Sequence, residues 1–199
     1  MSALLKSVAT QSTKKAEHFT YSDYLTWDDD KRWELIYGVP RMMAAPTYNH
    51  QRILGSIFAE IFHYLKGKKC EVFLAPCDVR LNHDTEDDIV VQPDLLIVCD
   101  PSKLDDIKSC KGAPDMIAEI LSPSTGKHDR ITKLKLYKDA GVREYWIIDP
   151  VRRTVQVNFF ENPDKPEIYY QDDTENIRVN ILDDFEISMK SIFANVPKG

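Results

Sequence analysis

The sequence predicts a single α/β or α+β domain built on a mixed central β-sheet. Helical and extended segments alternate through its middle, and short paired extended segments lie at both ends. This order is typical of sheets that combine parallel and antiparallel strands and are flanked by helices. A length of 199 residues suits one hydrophobic core. We therefore expect a flexible N-terminus over residues 1–17 and one domain over residues 18–199.

Composition excludes one class of function. The chain is 43% hydrophobic and 29% charged, as ordinary globular proteins are. Its 26 basic and 32 acidic residues give a net charge of -6. A protein that coats nucleic acid through bulk positive charge is thereby excluded. A local basic rim beside a metal ion remains compatible with this balance.

Cysteine spacing and hydropathy predict where the protein resides. The four cysteines form no C-x-x-C pair and no zinc-ligand spacing with the five histidines. We therefore expect free thiols in a reducing compartment, with Cys99 as a small buried thiol. Residues 1–15 contain no sustained apolar run of the kind that a signal peptide has, so we expect none, and no apolar run approaches the roughly 20 residues of a membrane span. The sequence predicts a cytoplasmic protein that does not contact membranes.

Periodicity and capping signals predict the elements of the N-terminal half. Thr20 and Asp23 have the spacing of a capping box and start a short helix that ends near Trp27. His50 lies at the edge of the broad apolar face of a second helix. The further predictions are a strand at 33–37, that second helix at 48–65, an extended segment at 71–81 and an apolar run at 89–98.

The C-terminal half continues with strands around one helix. The helix ends at Gly141, which is a favourable residue just after a helix C-terminus. Alternating apolar residues indicate a half-exposed strand after the turn at Asp149 and Pro150. The predicted elements are a strand at 116–121, the helix at 128–140, strands at 144–149, 154–159, 168–170 and 177–181, and a short strand with a helical turn over 185–193.

Two carboxylates lie in apolar runs where they are costly. Asp94 follows Pro93 and precedes four apolar residues, and Glu119 lies within the apolar strand at 116–121. Burying an unpaired carboxylate costs several kcal/mol or more, at an order-of-magnitude level. For one acid alone, a structural ion pair with Arg or Lys explains the position. Two such acids on successive strands indicate a shared metal ion.

A lysine on the following helix strengthens this hypothesis. At about 100° per residue, Lys133 lies in the middle of the arc formed by the apolar side chains, and Asp129 lies on its rim. Lys135 and Lys138 point away from this arc. A lysine on a packed face is costly unless it meets carboxylates or a substrate anion.

An Asp, a Glu and a Lys at one buried edge predict metal-dependent phosphodiester chemistry. Asp94 and Glu119 would bind Mg²⁺ or Mn²⁺ through hard oxygen ligands. The metal would lower the pKa of a bound water and neutralise a phosphodiester oxygen. Lys133 would orient or deprotonate that water, or stabilise the transition state.

Several stretches of the sequence together resemble a known family. The stretches are residues 93–98, 112–125 and 140–150, with Asp129, Arg130, Lys133 and Tyr137 between the last two. They resemble the Uma-type family of restriction endonucleases in the PD-(D/E)XK nuclease superfamily, over about residues 21–193. The resemblance implies a restriction-endonuclease-like fold, with a mixed central β-sheet flanked by helices and additional β-hairpins. It also implies a metal-dependent endonuclease that hydrolyses DNA, with Mg²⁺ or Mn²⁺ as cofactor.

The resemblance assigns residues and shows one departure. Asp94 would match the motif aspartate and Glu119 the second acid, with the backbone carbonyl of Ile120 as a further ligand. The superfamily pattern has a lysine two residues after the second acid, where this chain has Leu121. In the family that this chain resembles, the lysine looks to have moved to the following helix. The helical wheel assigns that position to Lys133 here.

Four residues are expected to support this site. Glu34 matches another recurrent acid of the family, as an auxiliary ligand or site-shaping residue; a surface acid is the alternative. His50 would contact phosphate or a metal-bound water, or serve as a satisfied core histidine. Asp129 would pair with Lys133 at i,i+4 and hold it charged. Tyr137 would pack over the site.

DNA contact requires local positive charge. Lys127, His128 and Arg130 lie beside the predicted site and are the expected phosphate contacts. By analogy with nucleases that cut both strands, we expect a homodimer, with the segment around Phe159 and Phe160 as the candidate interface.

Two other functions are compatible with the residues. The first is a catalytically silent protein of nuclease fold that acts as a nucleic-acid-binding or oligomeric interaction module. The second is a metal-dependent hydrolase of small phosphoesters.

Overall fold

The structure of the protein is a computed structural model that describes residues 17–122, 126–162 and 166–197, without the side chain of Lys127. The predicted flexible N-terminus at residues 1–17 lies outside the described residues except for Glu17. Within them the strands are β1 (Trp33–Ile36), β2 (Val39–Met42), β3 (Glu71–Leu74), β4 (Asp78–Arg80), β5 (Val90–Val91), β6 (Leu95–Val98), β7 (Ser109–Lys111), β8 (Met116–Ile120), β9 (Glu144–Asp149), β10 (Thr154–Phe159), β11 (Glu167–Tyr170), β12 (Asn176–Arg178) and β13 (Glu186–Ser188). The helices are α1 (Tyr21–Tyr24), α2 (Tyr48–Leu65), α3 (Gly126–His128), α4 (Leu134–Ala140) and α5 (Met189–Ile192).

The central sheet is mixed, as the sequence predicts. Its strand order is β11-β10-β9-β8-β6-β3. Strands β8 and β9 are parallel, whereas β8 and β6 are antiparallel. The order β2-β1-β5-β4-β7 forms a five-stranded sheet, and β12 pairs with β13. The predicted fold class, a mixed sheet with helices and additional hairpins, is therefore confirmed.

The central sheet carries a core on each face because its side chains alternate. In β6, Leu95 and Ile97 pack with α2 and the C-terminal elements, whereas Leu96 and Val98 pack with α4 and the five-stranded sheet. Strands buried on both faces are continuous apolar runs, as β6 is.

Helix α2 spans the range that periodicity predicts. Thr47 caps its N-terminus by accepting a hydrogen bond from the His50 amide. The apolar face is narrower than expected, because the Phe62 side chain is 57% exposed and stacks on Phe58 near the surface. The buried residues of this face are Ile53, Leu54, Ile57, Ile61 and Leu65.

The helix predicted over 128–140 has a different internal geometry. It begins at α3, passes through a π-helical segment, Asp129–Lys133, and continues as α4. Gly141 ends it with φ at 92°, in the left-handed region that glycine adopts without steric cost. Single π-helical turns inside α-helices are rare and are frequent at functional sites.

The cysteine prediction is wrong for two of the four residues. Cys70 and Cys99 form a disulfide, with their Cα atoms 4.0 Å apart. They flank the β3–β6 pair, in which Glu71 faces Val98, so the sheet register brings them together. Cys77 and Cys110 are free thiols, as expected. Among the described helices, none is long and apolar enough to cross a membrane.

Glu144 is a buried carboxylate that connects β9 to the C-terminal region. It accepts hydrogen bonds from Trp146 Nε1 at 2.6 Å and from the Ile181 amide at 3.0 Å. Burial nevertheless raises the pKa of Glu144 to about 7, against the lowering effect of these donors. Folding therefore favours the protonated carboxyl over the pH range between its unfolded and folded pKa values.

This pKa shift predicts that the free energy of unfolding depends on pH and that Glu144→Gln makes this dependence weaker. The native state holds a proton that the unfolded state releases near pH 4.5, so stability present below that pH is lost as pH rises through about 7. The change is on the order of 3 kcal/mol. Chemical denaturation across this window should show a shallower pH slope for Glu144→Gln than for wild type. Glu175→Gln, at an exposed position, is the control; an unchanged slope in Glu144→Gln would contradict the assignment.

Candidate active site

The two predicted acids face each other across neighbouring strands. The register of β6 and β8 pairs Leu95 with Ala118, and one further step places Asp94 opposite Glu119. Asp94 Oδ2 accepts a hydrogen bond from the Ile120 amide at 2.8 Å. Pro93 and the end of β6 thus position one carboxylate, and the end of β8 positions the other.

Glu119 points to the face of the central sheet that carries α4. Its neighbours at two-residue spacing, Ile117 and Leu121, pack in the core formed with α4 and the five-stranded sheet. Lys133 Nζ donates a hydrogen bond to Glu119 Oε1 at 2.8 Å. Both side chains are nearly inaccessible, with 3% exposure for Lys133 and 4% for Glu119.

Glu34, in β1 of the five-stranded sheet, also bonds to the Lys133 ammonium group. Its Oε1 accepts hydrogen bonds from Lys133 Nζ at 2.8 Å and from the Gln92 amide at 3.1 Å. Glu34 is buried in β1, so the surface-acid alternative is wrong. Lys133 therefore joins β1 of one sheet, β8 of the other and the helix that follows β8.

Asp129 and Tyr137 complete the surroundings of this ion pair. Asp129 Oδ1 lies 3.9 Å from Lys133 Nζ, the i,i+4 contact that the sequence predicts. The Asp129 carbonyl accepts a hydrogen bond from the Tyr145 hydroxyl at 3.2 Å. The Tyr137 hydroxyl donates to Glu119 Oε1 at 2.7 Å, so Tyr137 bonds directly to the acid as well as packing beside it.

Burial and the neighbouring charges shift the pKa values of Glu119 and Lys133. Burial raises the pKa of Glu119 to about 8; Lys133 opposes the shift, and Asp94, Asp129 and Glu34 add to it. Burial alone would lower the pKa of Lys133, but Glu119, Glu34 and Asp129 outweigh it and raise that pKa. Lys133 therefore keeps its positive charge at neutral pH.

His50 holds the other acid. Its Nε2 lies 2.9 Å from Asp94 Oδ2, and the side chain is 8% exposed. His50 Nδ1 is buried and has no hydrogen-bond partner among the described residues. His50 is thus connected to the site through Asp94, and the description as a fully satisfied core histidine is wrong.

The acids of this cluster, His50 and Lys133 border one cavity of about 740 Å³, whereas Tyr137 is fully buried behind them. The cavity lies between the two sheets at the ends of β6 and β8. The predicted site residues among those that line it are Glu34, His50, Asp94, Glu119, Ile120, His128, Asp129 and Lys133.

The carboxylates of this cavity have oxygen atoms that could bind a hard divalent cation. Among the described residues, the hydrogen bonds to Asp94 fall on Oδ2 and those to Glu119 fall on Oε1. Each carboxylate therefore keeps a second oxygen for another ligand, and oxygen ligands suit Mg²⁺ and Mn²⁺. The described residues contain no preformed group of three or more His, Cys, Asp and Glu arranged to hold a metal. Water or substrate oxygens would have to complete the coordination.

The predicted phosphate contacts have different surroundings. His128 lines the cavity, and burial, Lys133 and Arg41 lower its pKa. Arg130 Nη2 donates to Asp149 Oδ2 at 3.0 Å, so this arginine forms a structural ion pair. The side chain of Lys127 lies outside the described residues.

Sequence reasoning missed Arg32 and Gln92. Arg32 lines the cavity, and its Nε donates to Gln92 Oε1 at 2.9 Å. Arg32 precedes Glu34 by two residues, a spacing that places both on one face of an extended strand. That spacing was the available signal, but it has meaning only once Glu34 is known to face the site.

The buried ion pair predicts a large effect of neutralising Lys133. Lys133→Met keeps most of the side-chain stem but leaves Glu34 and Glu119 without their cation. We expect the free energy of unfolding to fall by about 3–5 kcal/mol. The loss should shrink in acid, where the carboxylates take up protons. Denaturant titration is the measurement.

Lys138→Met is the matched control because Lys138 is exposed on the same helix. Its effect should stay within about 0.5 kcal/mol. Equal losses in the two variants would show that Lys133 does not neutralise the cluster.

Three comparisons place this architecture among known proteins. A sequence model of the Uma2 family, described as "Putative restriction endonuclease", matches residues 21–190. A protein of Synechocystis sp. described as uncharacterized is 25% identical over 147 residues, which cover 71% of this chain and 73% of that protein.

A solved structure supports the fold independently. A crystal structure from Anabaena variabilis, described as "a putative nuclease", superposes with a TM-score of 0.72 at 20% identity. The superposition covers 88% of this chain and 98% of that one. At this identity the likeness establishes a shared fold. With the family match over most of the sequence, the chain belongs to the Uma2 family.

Proposed function

We propose that the protein is a metal-dependent endonuclease that hydrolyses DNA phosphodiester bonds. The observation that carries this proposal is the placement of Asp94 opposite Glu119, each with one oxygen left over, beside the buried Lys133 cation. Membership of a family described as restriction endonucleases supports it. Asp94 and Glu119, with the Ile120 carbonyl, would hold Mg²⁺ or Mn²⁺.

Each part has a distinct role in the proposed reaction. When bound, the cation would supply Lewis-acid chemistry, which lowers the pKa of a water and neutralises phosphate charge. His50 and the Ile120 amide fix the orientation of Asp94 through Oδ2. Tyr137 and Lys133 fix Glu119 through Oε1 in the same way.

The raised pKa of Lys133 favours two of the three roles considered for this residue. A lysine that keeps its proton at neutral pH is a poor general base. As a fixed cation it can orient the attacking water and stabilise negative charge that develops on the phosphate. Glu34 and Asp129 support that role because both raise the pKa of Lys133.

The homodimer and the cytoplasmic location belong to this proposal as well. The candidate interface residues Phe159 and Phe160 are half-buried, and Phe160 packs against the core that α4 shares with the five-stranded sheet. A dimer would pair two such cavities for cleavage of both strands.

A catalytically silent protein of the same fold is the second candidate. It is favoured by the ion pair itself, since Glu119 Oε1 already accepts bonds from Lys133 and Tyr137. Calorimetry with Mn²⁺ separates the two functions. Binding that disappears in Asp94→Asn supports the nuclease, and a wild type that binds no Mn²⁺ supports the silent module.

The decisive experiment is cleavage of supercoiled and linear DNA in Mg²⁺ or Mn²⁺. We expect Asp94→Asn and Glu119→Gln to lower the rate by about 100-fold or more, because loss of a metal ligand removes several kcal/mol of charge stabilisation. Chelation with EDTA should abolish cleavage by the wild type.

The control is Glu86→Gln, which removes a carboxylate at an exposed position outside the cavity lining. It should cleave as the wild type does. A wild type that cleaves neither DNA nor RNA in either metal would overturn the proposed nuclease function. Cleavage of small phosphoesters alone would indicate the metal-dependent hydrolase of small phosphoesters.

A further inference from the structure

Arg32 is a cavity-lining cation with unused hydrogen-bonding capacity. Its Nη2 is buried and has no hydrogen-bond partner among the described residues. Its single hydrogen bond within the described chain is from Nε to Gln92 Oε1. A buried donor without an acceptor costs about 1–3 kcal/mol, so such a group is expected to have a partner at some stage of function.

Gln92 holds this guanidinium in one orientation. Its Nε2 donates to Tyr24 Oη at 3.1 Å and to Asp78 Oδ1 at 2.9 Å. Because these two acceptors use both amide hydrogens, Oε1 must face Arg32. The Gln92 backbone amide meanwhile donates to Glu34. Arg32 is therefore held at Nε, and its Nη2 remains without an acceptor among the described residues.

Arg41 lies on the same face of the β1–β2 hairpin. The register pairs Glu34 directly with Arg41, and directly opposed residues project to the same side of a sheet. Arg32 shares that side with Glu34 by its two-residue spacing. Arg41 also lines the cavity, is exposed, and influences the pKa of His128 across it.

The other arginines near the cavity already have partners. Arg153 donates to Gln171 Oε1 at 3.0 Å and to the carbonyl of Val196 at 3.2 Å. Arg130 is paired with Asp149. Of the three arginines that line the cavity within the described residues, Arg32 and Arg41 are therefore the two with guanidinium donors left for a ligand, and we call them the basic edge.

We propose that Arg32 and Arg41 form a site for a backbone phosphate of the nucleic acid. Guanidinium groups bind phosphate oxygens through parallel hydrogen bonds, which Lys cannot reproduce. Arg32 is the oriented member, with Gln92 as its positioning residue, and Arg41 is the exposed one. This inference rests on the proposed nuclease function and adds the residues that position the DNA, in place of Arg130.

The test is fluorescence anisotropy with a short labelled DNA duplex over a series of salt concentrations. Each phosphate contact contributes about 0.9 to the slope of log affinity against log salt concentration. Arg32→Ala and Arg41→Ala should each weaken binding and reduce that slope by about 0.9, and the double variant by about twice as much. Arg32→Lys keeps a charge and the side-chain stem, and should bind between wild type and Arg32→Ala.

The control is Arg178→Ala, which removes the same charge from an exposed position on β12 away from the cavity lining. It should leave both affinity and slope unchanged. Calorimetry with Mn²⁺ should give the same affinity for Arg32→Ala as for wild type, since Arg32 does not bond to Asp94 or Glu119.

The outcomes separate this inference from the proposed function. Metal-dependent cleavage by the wild type, with Arg32→Ala and Arg32→Lys equal to it in affinity and slope, overturns the phosphate site alone. Equal losses in Arg178→Ala overturn it too, because the effect would then be bulk charge. A wild type that binds no DNA overturns both the phosphate site and the nuclease.

Discussion

The geometry of the site depends on the buried ion pairs that the Lys133 ammonium group forms with Glu34 and Glu119. The ammonium group bonds at 2.8 Å to Glu34 of β1 and to Glu119 of β8, which belong to different sheets. A buried charge pair is costly to break because removal of one partner leaves the other charged and desolvated. The ion pair therefore fixes how the five-stranded sheet approaches the central sheet. The cavity between the sheets results from that approach.

Within the part of the chain that the structure describes, several carboxylates surround the Lys133 ammonium group. Three carboxylates, Glu34, Glu119 and Asp129, lie near a single ammonium group, and Asp94 adds a fourth negative charge close to Glu119. Burial is the main cause of the raised pKa of Glu119; the charges of Asp94, Asp129 and Glu34 add to it, and Lys133 opposes it. A divalent cation would relieve the repulsion among these carboxylates.

Local patterns were sufficient to predict most of the elements, although not β7, and the convergence of Glu119 with Lys133. Alternation within β8 placed Glu119 on one face, and the periodicity of α4 placed Lys133 with Leu136 and Tyr137 on the buried side. The helical wheel assumed a regular α-helix from residue 128, whereas Asp129–Lys133 is π-helical. The prediction for Lys133 survives because this residue adjoins the first turn of α4, where the regular period holds.

Contacts set by strand register could not be predicted in the same way. Cys70 and Cys99 are 29 residues apart, and only the pairing of β3 with β6 brings them together. Arg130 resembled a free cation because its partner Asp149 lies at the end of another strand. These pairings are long-range, and hydrophobic periodicity carries information about the face of an element, not about its neighbour.

Strand β1 and the residue before it bring one basic and one acidic side chain, Arg32 and Glu34, to the same cavity. Arg32 and Glu34 are separated by two residues, or about 7 Å along an extended chain. Both depend on Gln92, whose side chain orients Arg32 and whose amide binds Glu34. A phosphate held by Arg32 would therefore lie at a fixed distance from the Lys133 cluster. Phosphate contacts position a nucleic acid without reading its sequence. The proposed phosphate site would therefore place the DNA backbone near the acids without reading its base sequence.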